Sequence, residues 1–174
     1  MKIAVVYESI YGNTAAVARA VAEGLRALGE VDVRAVGDES VEADLLVVGA
    51  PTHVHGLPSS MTRKAIEEAA KEAEAKGNPL DYQPTAGMRE FLDRLPEVDG
   101  TAAACFDTRF DKSRILTGSA AKTMARKLGH RGYWIVADPE SFFVLDTEGP
   151  LKEGELDRAS RWGASLGTAA GVSP

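Results

Sequence analysis

The sequence predicts an α/β protein of three layers, a five-stranded parallel sheet in the order 2-1-3-4-5 with helices on both faces. Three observations predict it. Short β-rich apolar runs alternate with helical segments along the whole chain, as parallel strands with right-handed crossovers require. Two runs, Ile3–Tyr7 and Leu45–Gly49, are almost continuously apolar, the mark of central strands covered on both faces. A third, Val31–Val36, is interrupted by Asp32 and Arg34, which marks a half-solvated edge and puts the second strand outside the first.

Each element follows from its own pattern. Ile3–Tyr7 is the first strand, and Asn13–Leu28 is a helix whose Val17, Val21, Leu25 and Leu28 share one face built to pack on the sheet. Val31–Val36, Leu45–Gly49, Thr101–Phe106 and Tyr133–Ala137 are the second to fifth strands. Between the third and fourth, residues 58–100 hold two helical patterns, Met61–Ala75 and Met88–Leu95, parted by Gly77–Thr85 with its two prolines. This reads as an elaborated crossover inside one domain spanning 1–170, not as a second domain. Asp138–Val144 reads as an extended segment whose aromatic residues pack beneath a last helix marked by Leu156, Ala159, Gly163 and Leu166. Residues 171–174 form a frayed tail.

Composition narrows the function. The chain has 174 residues, 44% hydrophobic and 26% charged, which is the balance of an ordinary globular protein. Its 26 acidic and 20 basic residues leave a net charge of −6, and no basic stripe is present, so nucleic acid is excluded as a partner. Cys105 is the sole cysteine, which rules out an internal disulfide and paired-thiolate metal sites; inside an apolar run it reads as a small hydrophobe. The run Ile3–Tyr7 is too short for a signal peptide or a membrane span, which points to the cytoplasm without membrane insertion.

The chemistry lies in the turn Ser9-Ile10-Tyr11-Gly12-Asn13-Thr14, between the first strand and its helix. A turn there aims unpaired backbone N–H groups and the positive end of the helix dipole at one spot, which makes it an anion site. Ser9 and Thr14 add hydroxyls, Asn13 an amide, and Gly12 room for close approach. No lysine or arginine is present, so a phosphate here would rest on neutral dipoles. The plain alternative is a turn whose Ser, Asn and Thr serve only as caps. Neither GxxxxGK[ST] nor GxGxxG occurs. A phosphoryl-receiving domain of this topology would need an aspartate where Gly49-Ala50-Pro51 stands.

The segment Tyr7–Thr14 resembles the FMN-phosphate loop of flavodoxins and flavodoxin-like quinone reductases, Ser/Thr-x-Thr-Gly-x-Thr. Ser9, Gly12 and Thr14 match it, while Tyr11 replaces the middle threonine, so one hydroxyl contact must come from the backbone, Ser9 or Asn13. The resemblance implies a flavodoxin-like fold with FMN as cofactor. It also implies that two further loops sandwich the flavin ring: Pro51, Thr52, His53, Val54, His55 and Gly56 after the third strand, and Asp107, Thr108, Arg109 and Phe110 after the fourth. Ser119 reads as a helix cap. No catalytic residue is assignable beyond the candidates His53 and His55, two of the three histidines, and they lack the third ligand a zinc ion needs.

The resemblance leaves three classes open. One is an electron-transfer protein docking on redox partner proteins, favoured slightly because no nicotinamide-binding motif is present. Another is an FMN-dependent NAD(P)H oxidoreductase acting on a small acceptor such as a quinone. The third is a flavin-free adaptor or anion-binding domain on the same fold.

Overall fold

The computed structural model describes residues 1–38, 40–53, 56–77, 86–113, 117–169 and 171. The elements in chain order are β1 (Lys2–Tyr7), α1 (Asn13–Leu25), β2 (Glu30–Ala35), β3 (Leu45–Pro51), α2 (Ser60–Ala75) and α3 (Met88–Arg94). They continue with β4 (Ala102–Phe110), α4 (Ala120–His130), β5 (Trp134–Ile135), β6 (Glu140–Val144) and α5 (Glu155–Ala169). A short 3-10 turn, Arg26–Leu28, extends α1. The prolines expected to part α2 from α3, and most of the tail, lie outside the described residues.

The sheet has the order β2-β1-β3-β4-β5, every neighbouring pair parallel, as the strand patterns require. Two boundaries differ from the sequence reading. The fifth position is filled twice: β5 pairs only with Ala102 and Ala103, and β6 pairs in parallel with Phe106–Phe110. Pro139, which has no N–H to donate, lies in the gap between them, and the segment read as merely extended resumes the ladder beyond it. β4 runs on through Asp107–Phe110, residues read as a loop because they end the apolar run; β3 and β6 flank them and satisfy their backbone.

Alternation along the strands feeds two cores. Ala4, Val6, Leu46, Val48, Ala103 and Cys105 pack with Met88 and Leu92 of α3 and Met124 and Leu128 of α4. Ile3, Val5, Leu45, Val47, Ala104 and Phe106 pack with Val17, Val21 and Leu25 of α1 and Leu166 of α5. In the second core Phe106, Phe142 and Trp162 meet edge to face, with centroids 6.0–6.1 Å apart, within the favoured range for aromatic pairs. Cys105 is buried at the centre of the sheet, and burial pushes its thiol far above the ordinary value, so it is inert.

Helices α1 and α5 approach until backbone touches backbone. A β-carbon at Gly163 would overlap the carbonyl of Val21, and one at Gly24 the carbonyl of Ser160. Gly163, which marks the last helix in sequence, is thus a point of backbone contact with α1. Replacing Gly163 by Ala should cost about 2 kcal/mol of overpacking, lowering the melting temperature by roughly 4–8 °C for a chain of this length. An unchanged thermal transition would contradict the packing described.

Candidate functional site

Parallel pairing brings the carboxyl ends of β1, β3 and β4 to one edge of the sheet. There a cleft of about 320 Å³ opens between the turns that follow them. Its walls are Ile10, Tyr11, Asn13 and Thr14; Pro51, Thr52 and His53; Thr108, Arg109 and Phe110; and Thr117, Val144 and Thr147. The sequence reading brings ten of these thirteen together. Thr117, Val144 and Thr147 were missed; for Thr147, nothing local in Leu145–Pro150 says that this turn folds across to the first loop. What holds it there is Asn13, whose side-chain amide donates to the Glu148 carbonyl at 2.9 Å.

The Ser9–Thr14 turn has the form its residues suggest. Gly12 adopts the left-handed conformation (φ 81°) that lets the chain turn from strand into helix. Ser9 is buried, and its hydroxyl accepts the Ala15 amide at 3.3 Å, leaving its own hydrogen free. Thr14 is lashed to β4 by a hydroxyl–hydroxyl bond of 2.7 Å with Thr108. Among the described residues, the backbone amides of Ile10, Gly12, Asn13 and Thr14 donate to no protein acceptor. Ile10, Asn13 and Thr14 line the cleft, and the turn holds no lysine or arginine.

Of the two charged residues expected beside a ring, Asp107 serves as support, and Arg109 lines the cleft while also serving as support. Asp107 is fully buried and faces the start of α4, where its Oδ2 accepts from Ser119 Oγ (2.7 Å), Thr52 Oγ1 (3.0 Å) and the Ala121 amide (3.0 Å). An anion at a helix N-terminus is favourable, and Ser119 caps that helix as read from sequence. Thr52 is fixed from both sides, since its hydroxyl also accepts the Ala120 amide at 2.9 Å. Arg109 donates to Ser141 Oγ (3.0 Å), the Phe110 and Lys112 carbonyls (3.1 and 2.6 Å) and Thr117 Oγ1 (3.1 Å). Its guanidinium lies 5.1 Å from the centre of the Phe143 ring, a cation–π distance. It reaches the cleft wall as the post around which the segment after β4 is wound.

His53 closes a tight turn by exchanging backbone hydrogen bonds with Gly56 (2.8 and 3.0 Å). Burial holds its imidazole below the usual value, so it is neutral at pH 7. Val54 and His55 lie outside the described residues. Among the described residues, no group of three or more His, Cys, Asp or Glu is placed to hold a metal ion, and no helix is long and apolar enough to cross a membrane.

One ionisable group beside the turn was not singled out in sequence. Glu8 is 1% exposed; its Oε2 accepts the Met88 amide at 2.9 Å, and its Oε1 lacks a hydrogen-bond partner. Burial raises its carboxyl from 4.5 to about 7, against the opposing pull of the Met88 amide and Arg63.

Backbone amides without protein acceptors at the carboxyl edge of a doubly wound parallel sheet define an α/β protein whose candidate ligand site lies at that edge. Within that class the comparisons are specific. The flavodoxin family model matches residues 5–159. A protein of Syntrophobacter fumaroxidans named NAD(P)H dehydrogenase (quinone) is 31% identical over 95% of this chain and 82% of its own length, and one so named from Geotalea daltonii is 29% identical over the same shares. Among solved structures, oxidised Flavodoxin 2 from Bacillus cereus superposes with a TM-score of 0.67 at 18% identity, covering 97% of this chain and 99% of that one. A flavodoxin from the domain Archaea superposes at 0.62 with 21% identity over 98% and 99%. The structures share the fold, and the family match covers most of the chain: it belongs to the flavodoxin family. A flavin is the cofactor this membership implies, and the donor set fits one, with free amides and hydroxyls for an anionic tail and Tyr11, Pro51, His53 and Phe110 as flat or apolar walls.

The raised carboxyl of Glu8 makes stability depend on pH. The unfolded chain loses this proton near 4.5 and the folded chain near 7, so in that window the native state holds more protons and stability falls as pH rises. A Glu8→Gln variant escapes the loss. Its stability relative to wild type should rise by about 3 kcal/mol between pH 4.5 and pH 8, read by chemical denaturation at each pH; a constant difference would contradict the burial of this charge.

Proposed function

We propose that the chain is an FMN-binding electron-transfer protein that seats the cofactor's phosphate in the Ser9–Thr14 turn and its ring between residues 51–56 and the end of β4 at 107–110. The carrying observation is the set of unpartnered amides at Ile10, Gly12, Asn13 and Thr14, with no cation in the turn. Such a set suits a phosphate monoester held by dipoles and not a metal-bound triphosphate. FMN, once bound, supplies one- and two-electron redox chemistry. The chain's part is to bind, orient and shield it. Ser9 offers the hydroxyl hydrogen left free by its bond to Ala15, and Thr14 can offer its own when Thr108 donates to it. Thr52, held by Asp107 and Ala120, presents a fixed wall, and Arg109 keeps the turn at 110–113 in place opposite it. Gly56 stands in the ring-side loop, joined to His53, and Val54 and His55 belong to the same loop by sequence.

A second reading, an FMN-dependent NAD(P)H oxidoreductase acting on a quinone, is favoured by the name borne by the curated relatives, which match 95% of this chain. Both readings use the same cleft. They part at turnover: the reductase oxidises NAD(P)H continuously with a quinone present, whereas the electron carrier stays idle until given a protein partner.

The phosphate seat is tested by comparing FMN with riboflavin, which has the ring and lacks the phosphate. Thr14→Val should weaken FMN about ten-fold or more, the worth of one hydrogen bond to a charged group, and leave riboflavin almost unaffected in flavin fluorescence titrations. Equal losses for the two flavins would remove the phosphate from this turn.

A further inference from the structure

The sheet carries a second cavity, at the edge opposite the cleft. The amino ends of β1, β3, β4 and β5 meet there around about 410 Å³, a volume within the range of small-molecule sites. Val41, Leu46, Pro96 and Val98 give it apolar walls. Both sides are pinned by hydrogen bonds. On one, the Asp44 amide donates to the Lys2 carbonyl at 2.9 Å, and the Lys2 amide donates to Asp44 Oδ2 at 2.7 Å. On the other, the Val98 amide donates to the Arg131 carbonyl at 2.9 Å, while the Arg131 guanidinium donates to the carbonyls of Asp93, at 2.7 Å, and Leu95. A β-carbon at Gly132 would overlap the Val98 carbonyl, so this wall lies tight against the turn between α4 and β5.

Tyr133 brings to this cavity a polar group that the fold leaves unused. It is 8% exposed and packs in the core with Leu128 and Leu95. Among the described residues its hydroxyl has no hydrogen-bond partner, and the sealed side-chain atoms that lack one are Glu8 Oε1, Glu90 Oε2 and Asp107 Oδ1. The Tyr133 hydroxyl is therefore not sealed, and the surface it keeps opens into the cavity that the residue lines. Burial raises its phenol above the ordinary value, so it stays protonated and neutral at pH 7.

Charge selects the ligand. Glu42 and Asp44 line the cavity against one cation, Lys2, and among the described residues neither Lys2 nor Glu42 is ion-paired. The Lys2 amide holds Asp44 by Oδ2 and leaves Oδ1 to an outside donor. Two carboxylates against one ammonium favour a positively charged guest, and a phenol oxygen can accept one of its N–H groups.

We propose that this cavity is a second ligand site, for a small organic ammonium ion whose apolar body lies on Val41, Leu46, Pro96 and Val98 and whose N–H groups donate to Asp44, Glu42 and the Tyr133 hydroxyl. It stands at the far end of the strands from the Ser9–Thr14 turn and does not rest on the FMN reading.

The test uses two probes with the same ring and opposite charge, phenethylammonium and 3-phenylpropionate, added to the full chain while backbone amide resonances are followed. Phenethylammonium should shift the amides of Asp44, Leu46, Val98 and Tyr133 saturably, and 3-phenylpropionate should bind more weakly. Glu42→Gln, at an exposed position that leaves the core untouched, should weaken phenethylammonium about three-fold, the scale of an exposed ion pair. Tyr133→Phe should weaken it about five-fold, the net worth of one hydrogen bond. No saturable shift at this edge, equal or tighter binding of 3-phenylpropionate, or unchanged affinity in both variants overturns the proposal. Should Tyr133→Phe fail to fold, Glu42→Gln decides alone.

Discussion

Unpaired backbone amides at the start of α1 are the constraint on which the rest of the site depends. Groups of this kind are costly to leave without a partner, and a protein ordinarily caps them. Here the cap is partial. Ser9 satisfies Ala15, and the Gly12 carbonyl receives Ala16, while Asn13 and Thr14 keep their amides for an outside acceptor. The neighbours hold that opening in shape: Gly12 turns the chain, Thr108 tethers Thr14, and the Glu148 carbonyl tethers Asn13.

The charges near the cleft point inward. Asp107 secures α4, Ser119 and Thr52; Arg109 winds the segment after β4 around itself; Arg158 continues the network at the sheet edge, reaching Glu140 and Glu155 at 2.6 Å. Breaking one partner of such a buried set strands the others, so these residues fix geometry more than they add stability. Apart from Arg109, which reaches the cleft wall, what faces the cleft is a surface of hydroxyls, amides and apolar walls. Membership in the flavodoxin family agrees with that surface, since a flavin brings its own charge on the phosphate and its own reactivity in the ring.

Much of this was legible in the sequence, because it depends on local pattern. The apolar runs of β1 and β3 and the interrupted run of β2 state the strand order, and the residues Ser9–Thr14 state the strand-to-helix turn, from neighbouring residues alone. Ser119 was readable as a cap for the same reason. What was not legible depends on contacts between distant segments. Asp107–Phe110 look like loop until β3 and β6 flank them, Asp107 looks like a ring-side ligand until α4 claims it, and Arg109, which does line the cleft, is not seen from sequence to be held by Ser141 and Thr117. Thr147 lines the cleft only because Asn13 and Glu148, far apart in sequence, meet. Glu8 carries no signal at all: an acidic residue after a strand is ordinary until Met88 and Arg63 enclose it.

Backbone amide resonances of Gly12, Asn13 and Thr14, followed as FMN and then riboflavin are added, report most directly on whether this turn receives a phosphate. The account predicts strong downfield shifts of these three amides with FMN and little change with riboflavin, even where riboflavin perturbs His53 and Phe110. Amides that respond identically to both flavins, or to neither while the ring-side loops respond, would contradict it.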